Sequence, residues 1–543
     1  MTDKPTWTEV SPIGDLLKRA AHTLPDRKAV VFPDTSVTFA ELWEGATRVA
    51  ASLIGLGIKP REHVGLLAVN GVPFLEGLFG ALLADCVVVP INARHRSEEL
   101  GYIVQNADLA AVLTTAGDNE YTSFSGLLTD ALPGLADAAD PANLSLDGAP
   151  VLRITALLTD DARDGFLSRD ALIAHGNSLS QDAVETRRAM CRVRDVAMIL
   201  YTSGTTANPK GCLLTHESLT RGAIERATGR FRTGNADVHW NGGPLFHIAA
   251  FGPLIGCVGA GITFLTDVFY DPRRALDLMK REGVTMAWPW FPAILQGLLD
   301  QDDFSPEHLP HLSRMMMIGP EALSAKALDR FPDVDLMQAC GMTETSGIFA
   351  YSAPDDRREV RLRTQGKMAP GMECRIVDPE TGAPCPDGTL GEIQVRGYCV
   401  TEGYYRAPDK TAETLIDGGW LRTGDIYERT PEGDLIFNGR YKDMLKVGGE
   451  NVAAVEIEAF LATHPEVRTA EVVGRADPRL DEVPVAFVEL EVGSQVTAQD
   501  LIDHCKGRIA RYKIPVDVIF VEAGTWPMSA TKVNKRALRE RLS

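Results

Sequence analysis

A hydroxyl- and glycine-rich segment that ends in lysine has the clearest capacity for chemistry in this sequence. It comprises Tyr201-Thr-Ser-Gly-Thr-Thr-Ala-Asn-Pro-Lys-Gly211, and the apolar run 196–200 precedes it. Short hydroxyl donors, backbone amides and a lysine can wrap and neutralise phosphate groups. The spacing differs from that of the Walker A loop, and a solvated Ser/Thr/Gly turn is the alternative. The segment therefore predicts a phosphate-binding loop of another kind.

Eight further segments with potential binding or catalytic groups follow the loop. In chain order they are Pro244-Leu-Phe-His247, Ile318-Gly-Pro-Glu-Ala322, Gln338-Ala-Cys-Gly-Met-Thr-Glu344, Gly391-Glu-Ile-Gln-Val-Arg-Gly397, Gly419-Trp-Leu-Arg-Thr-Gly-Asp425, Gly439-Arg-Tyr-Lys-Asp443, Lys446-Val-Gly-Gly-Glu-Asn451 and Pro527-Met-Ser-Ala-Thr-Lys532. In order and distance they resemble the motifs of the adenylate-forming superfamily, which contains acyl-CoA synthetases, peptide-synthetase adenylation domains and luciferases. The resemblance covers nearly the whole chain and implies a stand-alone acyl-CoA ligase.

The resemblance implies an α/β fold and a reaction in two halves. A large N-terminal domain (1–439) would hold two α/β sheets and a small β-barrel. A hinge (440–443) would join it to a mobile α+β C-terminal domain (444–543). A carboxylic acid and ATP would give an acyl-adenylate and pyrophosphate, after which CoA would form the thioester. Mg²⁺ is the implied cofactor, and ATP and CoA are the implied co-substrates.

The implied nucleotide site draws on most of these motifs. Glu344 would bind Mg²⁺, because hard cations prefer carboxylate oxygen, and Asp425 would accept the ribose hydroxyls with Arg440 as a second contact. The remaining implied ATP contacts are Thr202, Ser203, Gly204, Thr205, Thr206 and Lys210 for phosphate, Gly319, Pro320, Glu321, Gln338, Ala339, Cys340, Gly341 and Met342 around adenine, and Thr343 beside Glu344. A helix N-cap is the alternative role for the Thr-Glu pair, and a surface turn is the alternative for Asp425.

The implied catalytic and thiol-transfer groups lie mostly near the C-terminus. Lys532 resembles the family's catalytic lysine, and a mobile, compact positive charge suits a group that bridges carboxylate and α-phosphate. Asp443 matches the hinge. Lys446, Gly448 and Gly449 match the CoA-facing segment. The alternative for Lys532 is a solvated lysine in a basic tail.

The acid-binding pocket is implied around His247, which matches a residue at the junction of acyl pocket and thiol tunnel. A buried structural histidine is the alternative. Ala249 and Ala250 are small, and Trp240 is a candidate wall. Small residues leave room, so the sequence predicts a bulky alicyclic, terpenoid or steroid-like acid, with medium-chain, aryl and carnitine-type acids as alternatives.

Three positions depart from the family pattern. Ala207 and Thr531 replace glycines, and Cys340 replaces an aromatic residue that stacks on adenine. A Cβ at a position that needs positive φ costs about 1–2 kcal/mol, or about 10–30-fold in rate. One hypothesis is therefore that the enzyme adenylates poorly or takes its adenylate from a partner enzyme. The alternatives are local compensation that leaves both half-reactions intact, loading of a separate carrier protein, a luciferase-like oxygenase, and a decayed nucleotide-binding regulator.

The elements that must position these groups follow from hydrophobic patterning. Short apolar runs alternate with amphipathic segments through residues 64–114 and again through 196–338, as in parallel βαβ units. Residues 116–150 look like a peripheral insertion. After residue 370, short strands separated by Pro/Gly/Asp turns predict a small barrel or antiparallel sheet. Because 543 residues exceed a single core, two or more domains are expected.

Composition excludes several functional classes. The formal charge of −19 disfavours nucleic acid and anionic lipid. We find no apolar run long enough for a membrane span and no secretory signal at the N-terminus. The nine cysteines are dispersed without a C-x-x-C pair, which predicts a reducing, cytoplasmic location without a zinc site.

Overall fold

The computed structural model describes residues 10–117, 123–202, 209–447, 450–529 and 532–542. The helices within these ranges are α1 Ile13–Thr23, α2 Phe39–Gly55, α3 Val72–Leu83, α4 Ser97–Asn106, α5 Phe124–Ala131, α6 Arg169–Ala174, α7 Gln181–Met190, α8 His216–Ile224, α9 Ile248–Ala260, α10 Pro272–Glu282, α11 Pro292–Leu299, α12 Glu321–Arg330, α13 Arg358–Arg363, α14 Pro408–Thr414, α15 Ala454–Leu461, α16 Ala498–Cys505 and α17 Lys535–Glu540. No helix of the described ranges combines the length and apolar character needed to cross a bilayer.

The strands of the described ranges fall into two groups, before and after residue 370. The first group is β1 Lys28–Val31, β2 Ser36–Thr38, β3 His63–Leu67, β4 Val87–Pro90, β5 Leu109–Thr114, β6 Ile154–Leu157, β7 Val196–Thr202, β8 Lys210–Thr215, β9 Val238–Asn241, β10 Thr263–Leu265, β11 Met286–Trp288, β12 Arg314–Met317, β13 Asp335–Met342, β14 Gly347–Tyr351 and β15 Lys367–Met368. The second group is β16 Met372–Val377, β17 Gly391–Gly397, β18 Leu415–Ile416, β19 Trp420–Arg429, β20 Leu435–Arg440, β21 Met444–Val447, β22 Glu450–Ala453, β23 Val467–Asp477, β24 Asp481–Leu490, β25 Asp517–Phe520, β26 Met528–Ser529 and β27 Lys532–Val533.

A six-stranded sheet with the order β6-β5-β3-β4-β7-β8 forms the first layer. All neighbours are parallel except β7 and β8. Side chains alternate between its faces, so Leu66 and Leu113 lie in one core while Leu67 and Val112 lie in the other. Burial on both faces explains the nearly continuous apolar strands.

A nine-stranded sheet with the order β15-β14-β13-β12-β11-β9-β10-β1-β2 forms the second layer. Its central strands are parallel, and both edges are antiparallel. The hairpin β1–β2 is distant in the chain from the other strands of this sheet. It extends the sheet because β1 pairs in parallel with β10, where Val30 lies opposite Phe264. The core between the two sheets is shared by α1, α2, α3, α8 and α9.

Two smaller sheets follow. Strands β16 to β20 form a five-stranded antiparallel sheet, in which the ten-residue β19 pairs with β17, β18 and β20. Strands β21 to β25 form the C-terminal sheet, whose core includes apolar residues of α15 and α16. The predicted fold class is confirmed, including the change to mixed strands after residue 370. The sheets change between Arg440 and Met444, at the predicted hinge.

The expected peripheral position of residues 116–150 is wrong. Helix α5 and the loop after it contribute Leu128, Leu135 and Leu146 to the core behind the first sheet. Apolar residues spaced irregularly among Asp, Ala and Gly conceal this contribution in the sequence. The segment is therefore an integral cover of one sheet face.

Buried His216 gives the fold a pH dependence. Burial lowers its pKa from 6.5 to about 4, and its Nδ1 accepts the Ile13 backbone N–H at 3.2 Å. Between pH 6.5 and 4 the unfolded chain therefore binds more protons at this site, so the free energy of unfolding falls as pH falls, by at most about 1.4 kcal/mol per pH unit. In urea unfolding at several pH values, His216→Gln is expected to flatten this part of the profile. His311→Gln, at an exposed histidine, is the matched control, and equal slopes in both variants would contradict the assignment.

Candidate active site

The two ends of the predicted phosphate loop are held side by side. Thr202 ends β7 and pairs across the ladder with Lys210, the first residue of β8. The Lys210 ammonium lies 5.2 Å from the centre of the Tyr404 ring, within cation–π range. Ser203, Gly204, Thr205, Thr206 and Ala207 lie outside the described residues. The hairpin thus fixes where the loop starts and ends.

Glu344 is buried beside this hairpin, in a short 3₁₀ turn after β13. The Tyr404 hydroxyl donates a 2.9 Å hydrogen bond to Glu344 Oε1. Burial, and secondly the Glu344 carboxylate, raise the pKa of the Cys212 thiol well above its usual value, which places Glu344 next to β8. The carboxylate therefore faces the loop ends, as a metal-binding role requires. Tyr404 was not among the predicted site residues, because nothing near it in the sequence marks it.

The turn that carries Glu344 depends on a glycine. A Cβ at Gly341 would lie 2.1 Å from the Gly347 carbonyl oxygen, so no side chain fits there. Thr343 and Met342 are half-buried beside it. The close approach of β13 and β14 therefore sets the direction in which Glu344 leaves the sheet.

The two segments predicted to surround adenine, 319–321 and 338–342, lie next to each other. Their side chains point in different directions. Gln338 Nε2 donates to the Gly319 carbonyl at 3.2 Å, which joins the loop before α12 to β13. Pro320 is exposed beside it, whereas Glu321 turns outward and pairs with Arg363 at 3.2 Å. Only the backbone at Glu321 is thus placed near the Gln338 segment.

Ala339 and Cys340 are buried in the core between the second sheet and the five-stranded sheet. Burial raises the pKa of the Cys340 thiol, and Tyr427 and Asp425 are among its neighbours. Residue 340 therefore lies close to Asp425, with a small thiol where the family has an aromatic ring.

Asp425 and Arg440 face each other across β19 and β20. Arg440 Nε lies 3.0 Å from Asp425 Oδ1, yet this oxygen has no hydrogen-bond partner among the described residues. Burial raises the pKa of Asp425, opposed by Arg440 and Lys532. A buried carboxylate oxygen without a hydrogen bond can accept ligand hydroxyl groups.

Lys532 reaches this cleft from the C-terminal domain. It begins β27, which pairs with β26 in a two-stranded ribbon. Loss of hydration, and secondly the Arg440 guanidinium, lower the pKa of Lys532, whereas Asp425 raises it. The same ammonium contributes to the lowered pKa of His247, about 4, for which burial is the main cause. Lys532 is exposed to solvent, but it lies within electrostatic reach of Asp425 and His247.

Two ion pairs lie at the predicted hinge and between the domains in this orientation. Arg539 of α17 donates to the predicted hinge residue Asp443 at 2.8 Å. Arg468 of β23 pairs with Asp300 of the large domain at 2.6 Å. Lys446 is exposed, and Gly448 and Gly449 lie outside the described residues. The Asp300–Arg468 pair therefore connects the large domain to the C-terminal domain in the orientation that presents Lys532 to the cleft.

Breaking that pair should slow any reaction that needs this orientation. Partly exposed ion pairs contribute about 0.2–1 kcal/mol, so Asp300→Asn is expected to reduce the rate of acid-dependent ATP–pyrophosphate exchange by about 1.4–5-fold. Asp302→Asn, at an exposed neighbour, is the matched control. An unchanged rate in Asp300→Asn would show that the pair does not hold the orientation.

His247 begins the helix that lines the predicted acid pocket. Its Nδ1 accepts the Ala249 backbone N–H at 3.1 Å and so caps α9. Its ring packs against Phe291 at 6.0 Å between centroids, and Ala249 is half-buried next to it. Ala250 instead faces the core between the two large sheets.

The structure does not place Trp240 in the predicted acid pocket. It is fully buried on the opposite face of β9, where it packs with Tyr270. Strand alternation places His239 and Asn241 on the pocket side and Trp240 on the other. The sequence could not decide between the faces, because both sides of this sheet are apolar.

A cavity adjoins α9 one turn after His247. It is small, about 20 Å³, which is room for about one water molecule, and its lining includes Ala223, Arg226, Phe231, His239, Gly252 and Trp288. Arg226 lies in a π-helical turn, Glu225–Arg230, that continues α8. Such turns are frequent at functional sites. Arg226 was missed in the sequence because an arginine near the end of a helix normally faces solvent.

Comparison with known proteins covers nearly the whole chain. The family model described as "AMP-binding enzyme" matches residues 17–405, and "AMP-binding enzyme C-terminal domain" matches residues 456–532. A Bacillus subtilis (strain 168) protein named as acyl-CoA synthetase YngI is 32% identical over 98% of this chain and 97% of its own length. The mouse mitochondrial medium-chain acyl-CoA ligase ACSF2 is 29% identical over 98% and 87%.

Two solved structures are also similar. The anthranilate CoA ligase AuaEII with anthranoyl-AMP has a TM-score of 0.84 at 25% identity, covering 98% of both chains. ATP-bound MatB from Rhodopseudomonas palustris has a TM-score of 0.82 at 26% identity, covering 97% of this chain and 98% of that one.

Proposed function

Because the chain belongs to the AMP-binding enzyme family and is an AMP-forming acid–thiol ligase, we propose that it activates a medium-sized carboxylic acid with Lys532 as the catalytic group. The observation that carries the proposal is the position of Lys532, which lies within electrostatic reach of both Asp425 and His247. A carboxylate attacking the α-phosphorus next to a bound ribose would meet this ammonium. Its positive charge would stabilise the charge that develops on the phosphate oxygens.

Three regions of the chain would form the proposed nucleotide site. The loop 202–210 would hold the β- and γ-phosphates, with Lys210 offsetting their charge. Asp425 would accept the two ribose hydroxyls and thereby fix the α-phosphorus in line with the acid. The backbone of Gly319 and Gly341 would border adenine.

Glu344 fits a magnesium site of the kind completed by substrate phosphates. Mg²⁺ is usually held by one or two carboxylates together with phosphate oxygens and waters. Glu344 offers one buried carboxylate oriented by Tyr404. When bound there, the ion would neutralise phosphate charge and orient the departing pyrophosphate.

The second half-reaction requires a different domain orientation. We propose that the C-terminal domain rotates about Asp443, which withdraws Lys532 and brings Lys446, Gly448 and Gly449 to the thiol. The Asp443–Arg539 and Asp300–Arg468 pairs would break or exchange in that step. CoA is the proposed acceptor, in keeping with the names of the relatives.

For the substrate we propose a medium-sized acid rather than the bulky, steroid-like acid that the small residues suggested. The relatives named as medium-chain acyl-CoA ligases support the same size class.

All nine cysteines are free thiols, which supports a reducing compartment such as the cytoplasm.

Paired assays test this function. Acid-dependent ATP–pyrophosphate exchange measures adenylation, and thioester formation from synthetic acyl-adenylates measures the second step. We expect both activities with at least one medium-sized acid. Thioester formation without exchange for the same acid would contradict the proposal, and Ala207→Gly in the same assay measures what the alanine at position 207 costs.

A further inference from the structure

Helix α17 begins three residues after Lys532 and is anchored by charged side chains that are mostly buried. The ammonium of Lys535, the first residue of α17, lies 2.5 Å from a carboxylate oxygen of Glu458 in α15 and 3.4 Å from one of Glu471 in β23. These three side chains are 18%, 15% and 21% exposed, respectively. Charges attract more strongly where water is largely excluded. Lys535 therefore ties the start of α17 to two other elements of the C-terminal domain.

The charges of this cluster depend on one another. Burial, and secondly the Glu458 carboxylate, raise the pKa of Glu471, whereas Lys535 lowers it. Loss of hydration lowers the pKa of Lys535, but Glu458 and Glu471 more than offset this effect, so the net shift is upward. Glu458 is itself fixed in place, because its Oε1 accepts the Val472 backbone N–H at 2.8 Å. Loss of the lysine would leave two carboxylates close together without their cation.

Two further contacts fix the direction of α17. Leu538 is fully buried in a small core that it shares with Phe487. Arg539 donates to the predicted hinge residue Asp443 at 2.8 Å. Since Arg539 follows Lys535 by four residues, both lie on the same face of the helix. Helix α17 therefore extends from the hinge to the ribbon β26–β27.

The ribbon that carries Lys532 is short and joined directly to α17. Its two strands have two residues each, and Met528 at its start is 52% exposed. The Asn534 backbone N–H donates to the Pro527 carbonyl at 2.7 Å. The Asn534 side chain accepts the Ala537 backbone N–H at 3.2 Å and so caps α17. Because Asn534 contacts both elements, a shift of the helix would move the ribbon with it.

We propose that Lys535 is a positioning residue for adenylation, which anchors α17 between Glu458 and Glu471 and thereby places the Lys532 ammonium at the reacting carboxylate and α-phosphate. This inference rests on the proposed function. Lys532 is exposed, so its location is set by the backbone that carries it more than by packing around its side chain. A misplacement of about 1 Å can slow a reaction roughly 100-fold.

Lys535→Met removes the charge and keeps a side chain of similar length. Acid-dependent ATP–pyrophosphate exchange is expected to fall by roughly 10–100-fold, whereas thioester formation from a synthetic acyl-adenylate should change by less than about 3-fold. Lys535→Arg keeps a cation between the two carboxylates and should restore most of the exchange. Arg536→Met is the matched control, at a residue of α17 that is 76% exposed and pairs with Glu540, and it should retain both activities.

A double variant shows whether Lys535 acts through Lys532. Once Lys532 is alanine, Lys535 has no ammonium left to place, so Lys532→Ala/Lys535→Met should catalyse exchange no more slowly than Lys532→Ala alone. The proposal is overturned if Lys535→Met slows the Lys532→Ala enzyme by the same factor as the wild type. An equal loss of both half-reactions in Lys535→Met would also overturn it, because that result indicates a general structural role.

Arg539→Gln decides the matter if Lys535→Met does not fold, because it leaves the buried cluster intact and breaks only the contact with Asp443. Exchange should then fall by about 1.4–5-fold, as expected for a partly exposed ion pair, with thioester formation unchanged. An unchanged exchange rate would reject the anchoring role of α17. Exchange that survives Lys532→Ala would contradict the proposed function, whereas exchange lost in Lys532→Ala but retained in Lys535→Met would contradict only this inference.

Discussion

Lys532→Ala is expected to reduce acid-dependent ATP–pyrophosphate exchange by about 100- to 1,000-fold, the usual cost of removing one group that stabilises transition-state charge. Thioester formation from a synthetic acyl-adenylate should change by less than about 3-fold, since the phosphate transfer that Lys532 serves is already complete. The physical reason is that its ammonium lies within electrostatic reach of both Asp425 and His247. The two assays on one preparation of the variant provide the measurement.

A matched lysine distinguishes this effect from a general loss of positive charge. Lys506 is exposed in the same domain, where it pairs with Asp503 at 2.6 Å. Lys506→Ala should retain both activities. If Lys532→Ala slows both half-reactions equally, or neither, the proposed role of Lys532 is wrong.

Asp425→Asn is expected to lower kcat/KM for ATP by about 10–100-fold, because hydrogen bonds from ligand hydroxyls to a buried carboxylate are strong. Oδ1 of Asp425 is ion-paired with Arg440 at 3.0 Å but has no hydrogen-bond partner of good geometry among the described residues, so ribose hydroxyls could donate to it. The direct readout is the discrimination between ATP and its 2′-deoxy and 3′-deoxy analogues. Wild-type enzyme should penalise each analogue, and Asp425→Asn should lose most of that penalty.

The analogues also separate ribose binding from a structural role. Asn at position 425 leaves Arg440 without its partner, and that alone would weaken all three nucleotides equally. Asp417→Asn, at an exposed acid before β19, is the control for charge. An undiminished discrimination between ATP and the analogues in Asp425→Asn would rule out contact with the ribose.

The sequence alone determined the family and the fold class. Those properties depend on local patterns, such as the apolar strands near Val64 and Val196 and the turn segments at Asp425 and Asp443. Short-range hydrophobic periodicity and turn chemistry predict elements well because they act within a few residues. The ends of the phosphate loop were also evident from composition alone.

Only the tertiary structure decided which side chains share a space. Trp240 and His239 are neighbours in sequence, yet strand alternation places them on opposite faces of a sheet that is apolar on both sides. Arg226 carries a charge typical of surfaces, but the packing of α8 against α9 buries it beside a cavity. Contacts such as Glu344 with Tyr404, sixty residues apart, arise from sheet order and domain orientation. Such contacts bring together residues far apart in the chain, so no local pattern encodes them.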